Sequence, residues 1–220
     1  PSSAASDVYK RQVHGAAMVG KYIHDSRVIN EAFDCHYINL TTADSLSDIG
    51  KFGLRKVVSF IKLLNRIKKE IKRLSPDIVY ITPNSAGSAF YKDFVVVETA
   101  KQSLKESGKK RGRVVLHFHN KGVCTKQERW FDNILYNKFF KDVNVILLAE
   151  SLYGDISKYV ERKNVTICGN GIPDNPDEYN VAHKESTNED LPHLLFLSNM
   201  MTTKGVWELL YALYLSLIHI

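Results

Sequence analysis

The stretch Arg113-Val-Val-Leu-His-Phe-His-Asn-Lys-Gly-Val123 decides how the rest of the chain is read. A β-branched run that stops at His117, His119, Asn120 and Lys121, with Gly122 following, predicts a buried strand carrying polar side chains to its carboxyl end. Open α/β sheets bind their ligands there. Side chains alternate along a strand, so His117 and His119 face one side of the sheet and Phe118 the other. Three further apolar runs break off in the same way: Ile78 to Thr82 before Pro83-Asn84, Val143 to Leu148 before Glu150-Ser151, and Leu194 to Leu197 before Ser198-Asn199. The shared pattern predicts one ligand-binding edge.

Helical spacing fills the intervals. Tyr91 to Ser107 predicts a helix ended by Gly108, after a ligand-edge loop from Pro83 to Phe90. Trp130 to Phe140 predicts a helix burying Phe131, Ile134, Leu135 and Phe139, and Ser151 to Val160 predicts another. Val165 to Cys168 is a short strand leading to Gly169-Asn170-Gly171-Ile172-Pro173, and Cys35 to Leu40 is an earlier strand followed by a polar loop from Thr41 to Gly50. At the front, His14-Gly15-Ala16-Ala17 is a small-residue loop running into a helix through Met18, Tyr22, Ile23, Val28, Ile29 and Phe33. Backbone N–H groups at such a turn suit an anion, and a tight turn chosen for packing is the alternative. Strands alternating with helices predict an α/β fold, a Rossmann-like parallel sheet flanked by helices, with the truncated start of a second such domain.

Both ends read as translated adaptor DNA. Asp7-Val-Tyr-Lys-Arg-Gln12 is encoded by GAT GTG TAT AAG AGA CAG, whose reverse complement encodes Leu-Ser-Leu-Ile-His-Ile, the residues Leu215 to Ile220. The DNA resembles a transposon adaptor used for sequencing libraries. Residues 1–12 and 215–220 are therefore expected to be non-native. The expected organisation of the remainder is an acceptor-side domain over 13–172, a polar and acidic linker over 173–192, and the start of a donor-side domain over 193–214.

With 44% hydrophobic and 25% charged residues, the 220-residue chain has a globular composition. No run approaches the roughly 18 apolar residues of a membrane span. Cys35, Cys124 and Cys168 are odd in number and widely spaced, which argues against a disulfide framework or a zinc site and fits a reducing cytoplasm. His-x-His invites a metal reading, but no third ligand stands nearby, so no metal site is expected. Much of the net charge of +6 sits on a helix from Leu54 to Leu74, with an apolar stripe of Val57, Ile61, Leu64, Ile67, Ile71 and Leu74. Such a helix can be a solvated face, a membrane-surface helix or a nucleic-acid contact.

Gly15-x-x-x-x-Gly20-Lys21-Tyr22 falls one residue short of a Walker A loop, with Tyr22 where a magnesium-holding hydroxyl belongs. A nucleotide-dependent Rossmann epimerase or dehydrogenase would need an acidic residue after the second strand, and only Asp44 is offered. A basic nucleic-acid-binding module would interleave aromatics along 54–74, where only Phe60 stands.

The order of elements resembles the N-terminal half of glycosyltransferase family 4, retaining nucleotide-sugar transferases of the GT-B fold. The likeness rests on His14-Gly15-Ala16 where the family has a Gly-Gly turn, on Asn170-Gly171-Ile172-Pro173 where it has an Asn-Gly hinge, and on Leu195-Phe196-Leu197-Ser198-Asn199 through Lys204-Gly205 where it has a strand, Gly-Arg and Lys-Gly. The chain departs at Asn199, where the family places an Arg, and at Gly169, where it commonly has Pro.

The resemblance implies transfer of a sugar from a nucleotide-sugar donor to a glycan or lipid-linked acceptor in surface polysaccharide synthesis, with no bound cofactor. It implies His119 as the catalytic contact to the donor sugar. Gly15, Ala16, Asn199, Lys204 and Gly205 would be donor or phosphate contacts, His14, Asn84, His117, Asn120 and Lys121 acceptor-side or cleft residues, and Asn170 and Gly171 a hinge. Lipid-linked acceptors further imply a cytoplasmic protein peripheral on an anionic membrane through Arg55, Lys62, Arg66, Lys69 and Arg73, with the apolar stripe of that helix committed to the core. The family's Glu-x7-Glu donor segment would lie beyond Tyr214, so the chain alone is expected to be inactive.

Overall fold

The computed structural model describes residues 15–40, 54–108, 112–171 and 205–218. The chain divides into two units, Pro1–Pro173 and Asp174–Ile220. In the first, helices α1 (Gly15–Asp25), α2 (Arg27–Ala32) and α3 (Leu54–Leu74) precede strand β1 (Ile78–Ile81), and α4 (Gly87–Glu106) leads to β2 (Arg113–Phe118). Helix α5 (Trp130–Phe139), β3 (Val143–Leu147), a 3-10 helix (Glu150–Asp155) and β4 (Val165–Ile167) complete it. In the second unit, α6 (Val206–Ile218) begins beside Gly205, whose carbonyl accepts from Leu209 N–H at 3.0 Å.

The four strands form one all-parallel sheet in the order β1-β2-β3-β4. The mixed α/β architecture, a parallel sheet flanked by helices, is that of a Rossmann-like fold. Alternation sends Ile81, Val114, Leu116, Phe118, Val143, Val145, Leu147 and Val165 into one buried cluster with Leu63, Ile67 and Ile71 of α3, Phe90, Val96, Val97 and Ala100 of α4, and Tyr136 and Phe139 of α5. Three helices thus cover one sheet face. The other face carries the in-register rows Tyr80, Val115, Asn144 and His117, Ile146, Thr166. It is only partly covered: Tyr80 is 39% exposed, while His117 is 7% exposed.

Local chemistry ends the helices where the sequence predicts. Gly108 takes a φ of +73° behind α4 and donates to Lys105 O, a left-handed cap that a side chain would resist. Ser75 takes the corresponding position behind α3 (φ +43°), before Pro76.

Several expectations need correction. Cys35 to Leu40 is not a strand: Ile38 and Leu40 pack against the core, but the segment joins no ladder, and a strand exists only through a partner's backbone groups. Gly15 is already the first residue of α1, so the expected small-residue loop is a helical turn. The whole Gly15 to Tyr22 stretch is helical, which leaves no loop to wrap a phosphate in the Walker manner. Ser151 to Val160 forms a 3-10 helix and turns rather than an α-helix. Helix α4 starts at Gly87, so the preceding loop is shorter than expected.

In α5 the buried face is rotated from the expected one. Asp132, Tyr136 and Phe139 are inside, whereas Phe131 and Ile134 are exposed. In α3 the expected stripe is buried at Ile67 and Ile71 and partly at Leu64, and Leu63, outside it, is buried as well, whereas Val57 and Ile61 of the stripe are exposed, as are their neighbours Leu54 and Val58.

Phe139 is the centre of the aromatic core, with ring centroids 5.2 Å from Phe90, 5.2 Å from Phe140 and 6.4 Å from Phe118. Phe139→Ala is expected to lower unfolding free energy by about 3–5 kcal/mol, whereas Phe131→Ala, at a 57% exposed position, should stay within about 0.5 kcal/mol. Urea denaturation of the two variants distinguishes the observed packing face of α5 from the one its hydrophobic spacing suggests.

Candidate functional site

The loops that follow β1, β2 and β3 meet at the carboxyl edge of the sheet. After β1, Asp93, buried on α4, accepts from the Asn84 backbone N–H (2.9 Å) and from its side-chain amide (2.8 Å). Ser85 N–H donates to Asn120 Oδ1 (3.0 Å), and Asn120 Nδ2 donates to Asn84 Oδ1 (3.3 Å). The Tyr136 hydroxyl, from the buried side of α5, donates to Ser85 O at 2.8 Å. Asn84 and Asn120, predicted from separate stretches of sequence, are therefore brought together.

The turn after β2 is tied down by Asp155. This buried carboxylate accepts from Gly122 N–H (2.9 Å), Val123 N–H (3.1 Å) and Cys124 N–H (3.1 Å). Desolvation pushes the carboxyl upward, but the Cys124 thiol and the three backbone donors outweigh it and hold the group below its ordinary value. Gly122 has a φ of +150°, and a Cβ there would meet Ala86 Cβ at 3.2 Å and Ser85 Oγ at 3.3 Å. Only glycine lets the β2 turn lie this close to the β1 turn.

His117 and His119 face the same side, as the alternation predicts, with ring centroids 4.2 Å apart. His117 Nδ1 lies 2.5 Å from the Tyr80 hydroxyl. In either tautomer that leaves Nε2 of His117 as the unused ring nitrogen, and Nε2 of both histidines is buried without a hydrogen-bond partner among the described residues. Burial, with the neighbouring His119 second, pushes His117 down to about 4, and burial lowers His119 as well. Burial raises Tyr80 to about 12, so the phenol stays protonated. Near neutral pH the site presents uncharged donors and acceptors.

No protein-family model, curated protein or solved structure matches this chain. Of the other predicted residues, Lys121 is exposed beside Asn120, and Asn170 and Gly171 lie in the exposed segment after β4. Gly15 and Ala16 form the start of α1, and Gly205 belongs to the second unit. His14, Asn199 and Lys204 fall outside the described residues, as do the linker over 173–192 and the strand Leu194 to Leu197. Among the described residues, no group of three or more His, Cys, Asp or Glu is placed to hold a metal ion.

Sequence reasoning missed Tyr80, Asp93, Tyr136 and Asp155. Tyr80 carried a signal, since an aromatic at the exposed parity of Ile78-Val-Tyr-Ile81 stands opposite the strand holding His117. The other three act through contacts 9 to 51 residues away in sequence, which no local pattern encodes.

The depressed histidines link stability to pH. Folded His117 stays neutral down to about 4, whereas unfolded histidine takes up a proton near 6.5, so the unfolded state binds more protons in that window. Its contribution is complete above the unfolded value and declines as pH falls toward 4. Between pH 7 and pH 5 the loss should be roughly 2 kcal/mol from His117, with His119 adding in the same direction. Chemical denaturation at the two pH values measures it, and the double variant His117→Gln, His119→Gln should flatten the dependence.

Proposed function

We propose that this chain is part of a glycosyltransferase that moves a sugar from a nucleotide-sugar donor to a glycan or lipid-linked acceptor with retention, in surface polysaccharide synthesis. The observation that carries the reading is the pair of neutral imidazoles whose buried Nε2 atoms lack partners at the carboxyl edge. A buried polar group without a partner costs about 1–3 kcal/mol, which a ligand can relieve. Sugar hydroxyls both donate and accept, so they match uncharged imidazoles in either tautomer and the amides of Asn84 and Asn120 alongside. His119 contacts the donor sugar, and Tyr80 orients His117 beside it. Gly15 and Ala16, in the first turn of α1, offer backbone N–H groups to a phosphate or acceptor. Lys204 and Gly205 serve the leaving diphosphate, where a fixed cation lowers the barrier as charge develops on the departing oxygen.

The test is sugar transfer from a panel of nucleotide sugars by the parent protein encoded by the uninterrupted gene. His119→Ala should reduce transfer about 10- to 100-fold, roughly 1.4–2.7 kcal/mol of transition-state stabilisation, with partial recovery in His119→Gln. Undiminished transfer in His119→Ala removes His119 from the mechanism, and no transfer from any nucleotide sugar overturns the reading.

The same reading includes an anionic membrane surface as partner. Among the described residues no helix is long and apolar enough to cross a membrane. Lys62, Arg66 and Lys69 are exposed on α3, and Leu54, Val58 and Ile61 are exposed on the same helix. Arg73 is partly neutralised by Glu70 at 2.6 Å. Arg55 lies in the first turn of α3. Sedimentation with anionic vesicles should be strong at low salt and largely lost at high salt, with a residue of binding from the exposed apolar turns. Equal binding to neutral and anionic vesicles, or binding unchanged when Lys62, Arg66 and Lys69 become Glu, overturns the assignment.

A further inference from the structure

A cleft of about 570 Å³ opens at the other end of the helical layer, lined by residues of α3, α4 and the end of α5. Its position follows from the chain: Lys141 and Asp142 immediately precede β3, Lys105 ends α4, and Lys68 lies in the second half of α3. These are the segments that enter the sheet at its amino edge. His117 and His119 stand four and six residues beyond Arg113, the first residue of β2, so at about 3.3 Å per residue the strand places them roughly 13 and 20 Å from this edge.

Five lysines line the cleft (Lys68, Lys101, Lys105, Lys138 and Lys141), against two carboxylates, Glu98 and Asp142. The lysines are not equivalent. Lys101 is largely but not fully buried, and its ammonium donates to Glu98 Oε1 (2.9 Å), Lys138 O (2.8 Å) and Phe139 O (2.7 Å), so all three donors are spent, two of them on carbonyls at the carboxyl end of α5. Lys138 approaches the other oxygen of Glu98 at 3.4 Å and lies over the Phe94 ring at 5.8 Å. Glu98 is thus shared between two ammonium groups. Lys68, Lys105 and Lys141 form no ion pair among the described residues and are exposed. The lining carries three more positive charges than negative ones, contributed by three separate elements around a single volume.

Clustered ammonium groups of one sign repel one another and raise the local concentration of anions. The cleft contains lysines and no arginine; lysine is a mobile point charge suited to phosphate oxygens, whereas planar carboxylate recognition favours the arginine fork. Phe94, Val95 and Thr99 add apolar and hydroxyl surface to the same lining. We propose that this cleft is a second binding site, for a small molecule carrying two or more linked phosphates, held chiefly by Lys68, Lys105 and Lys141 with Lys101 fixing the wall. It is separate from the carboxyl-edge site and does not depend on the sugar-transfer reading.

Isothermal titration of the full chain with inorganic tripolyphosphate, with a nucleoside triphosphate and with orthophosphate tests it. Tripolyphosphate is expected to bind at least tenfold more tightly than orthophosphate, and to weaken at least tenfold in the triple variant Lys68→Gln, Lys105→Gln, Lys141→Gln and at raised salt. Tighter binding of the nucleoside triphosphate assigns the Phe94, Val95 and Thr99 surface to a base, and equal binding assigns the site to the phosphate chain alone. The triple variant should melt within a few degrees of the unsubstituted chain, because the three side chains are exposed. Absence of tripolyphosphate binding, or binding that the folded triple variant retains in full, overturns the proposal.

Discussion

The carboxyl edge of this sheet depends on one buried carboxylate. Asp155 stands at the end of the 3-10 helix after β3 and gathers three successive backbone N–H groups from the turn after β2. Without it those donors would be buried and unpaired, each at a cost of about 1–3 kcal/mol. Fixing that turn fixes Gly122, which presses on Ser85 and Ala86 and so sets the spacing between the β1 and β2 loops. Ser85 in turn is held from below by the Tyr136 hydroxyl and from above by Asn120. The polar edge is thus a chain of contacts running from β3 back to β1, with the aromatic core under it.

The two ends of the domain differ in electrostatic character for physical reasons. At the carboxyl edge, burial keeps the imidazoles neutral and the Tyr80 phenol protonated, so recognition there works through hydrogen bonds. At the amino edge, five lysines face two carboxylates around one cleft, so recognition there works through net positive charge. Lys101 joins the two behaviours. Desolvation lowers its pKa, yet its contacts to Glu98 and two helix-terminal carbonyls give the ammonium full partners and stabilise the negative end of α5.

Much of the fold was legible because its signals are local. A β-branched run cannot stay in water, and it ends where the side chains become polar, so β1 to β4 fall within a residue or so of their expected ends. Pro76 and Gly108 punctuate helices through backbone restrictions that act without partners. The site was legible to the same depth: alternation alone put His117 and His119 on one side. Burial within a helix was less legible. In α5, Phe131, Ile134, Leu135 and Phe139 are all apolar, and hydrophobic spacing could not choose between that face and the one centred on Tyr136, whose hydroxyl has a partner inside.

The sequence by itself determined β1 to β4 and α3 to α5 as elements, the parallel α/β class and the polar termination of the strands, because each follows from side-chain period, backbone restriction or solubility within a few residues. Only the tertiary structure decided that Cys35 to Leu40 lacks a ladder, since pairing needs an available edge from elsewhere in the chain. Only the tertiary structure joined Tyr80 to His117, Asp155 to the Gly122 turn, and the lysines of three elements into one cleft. Hydrogen bonds and fields act through space, and the distance between two residues in space is set by packing that no single stretch of sequence contains.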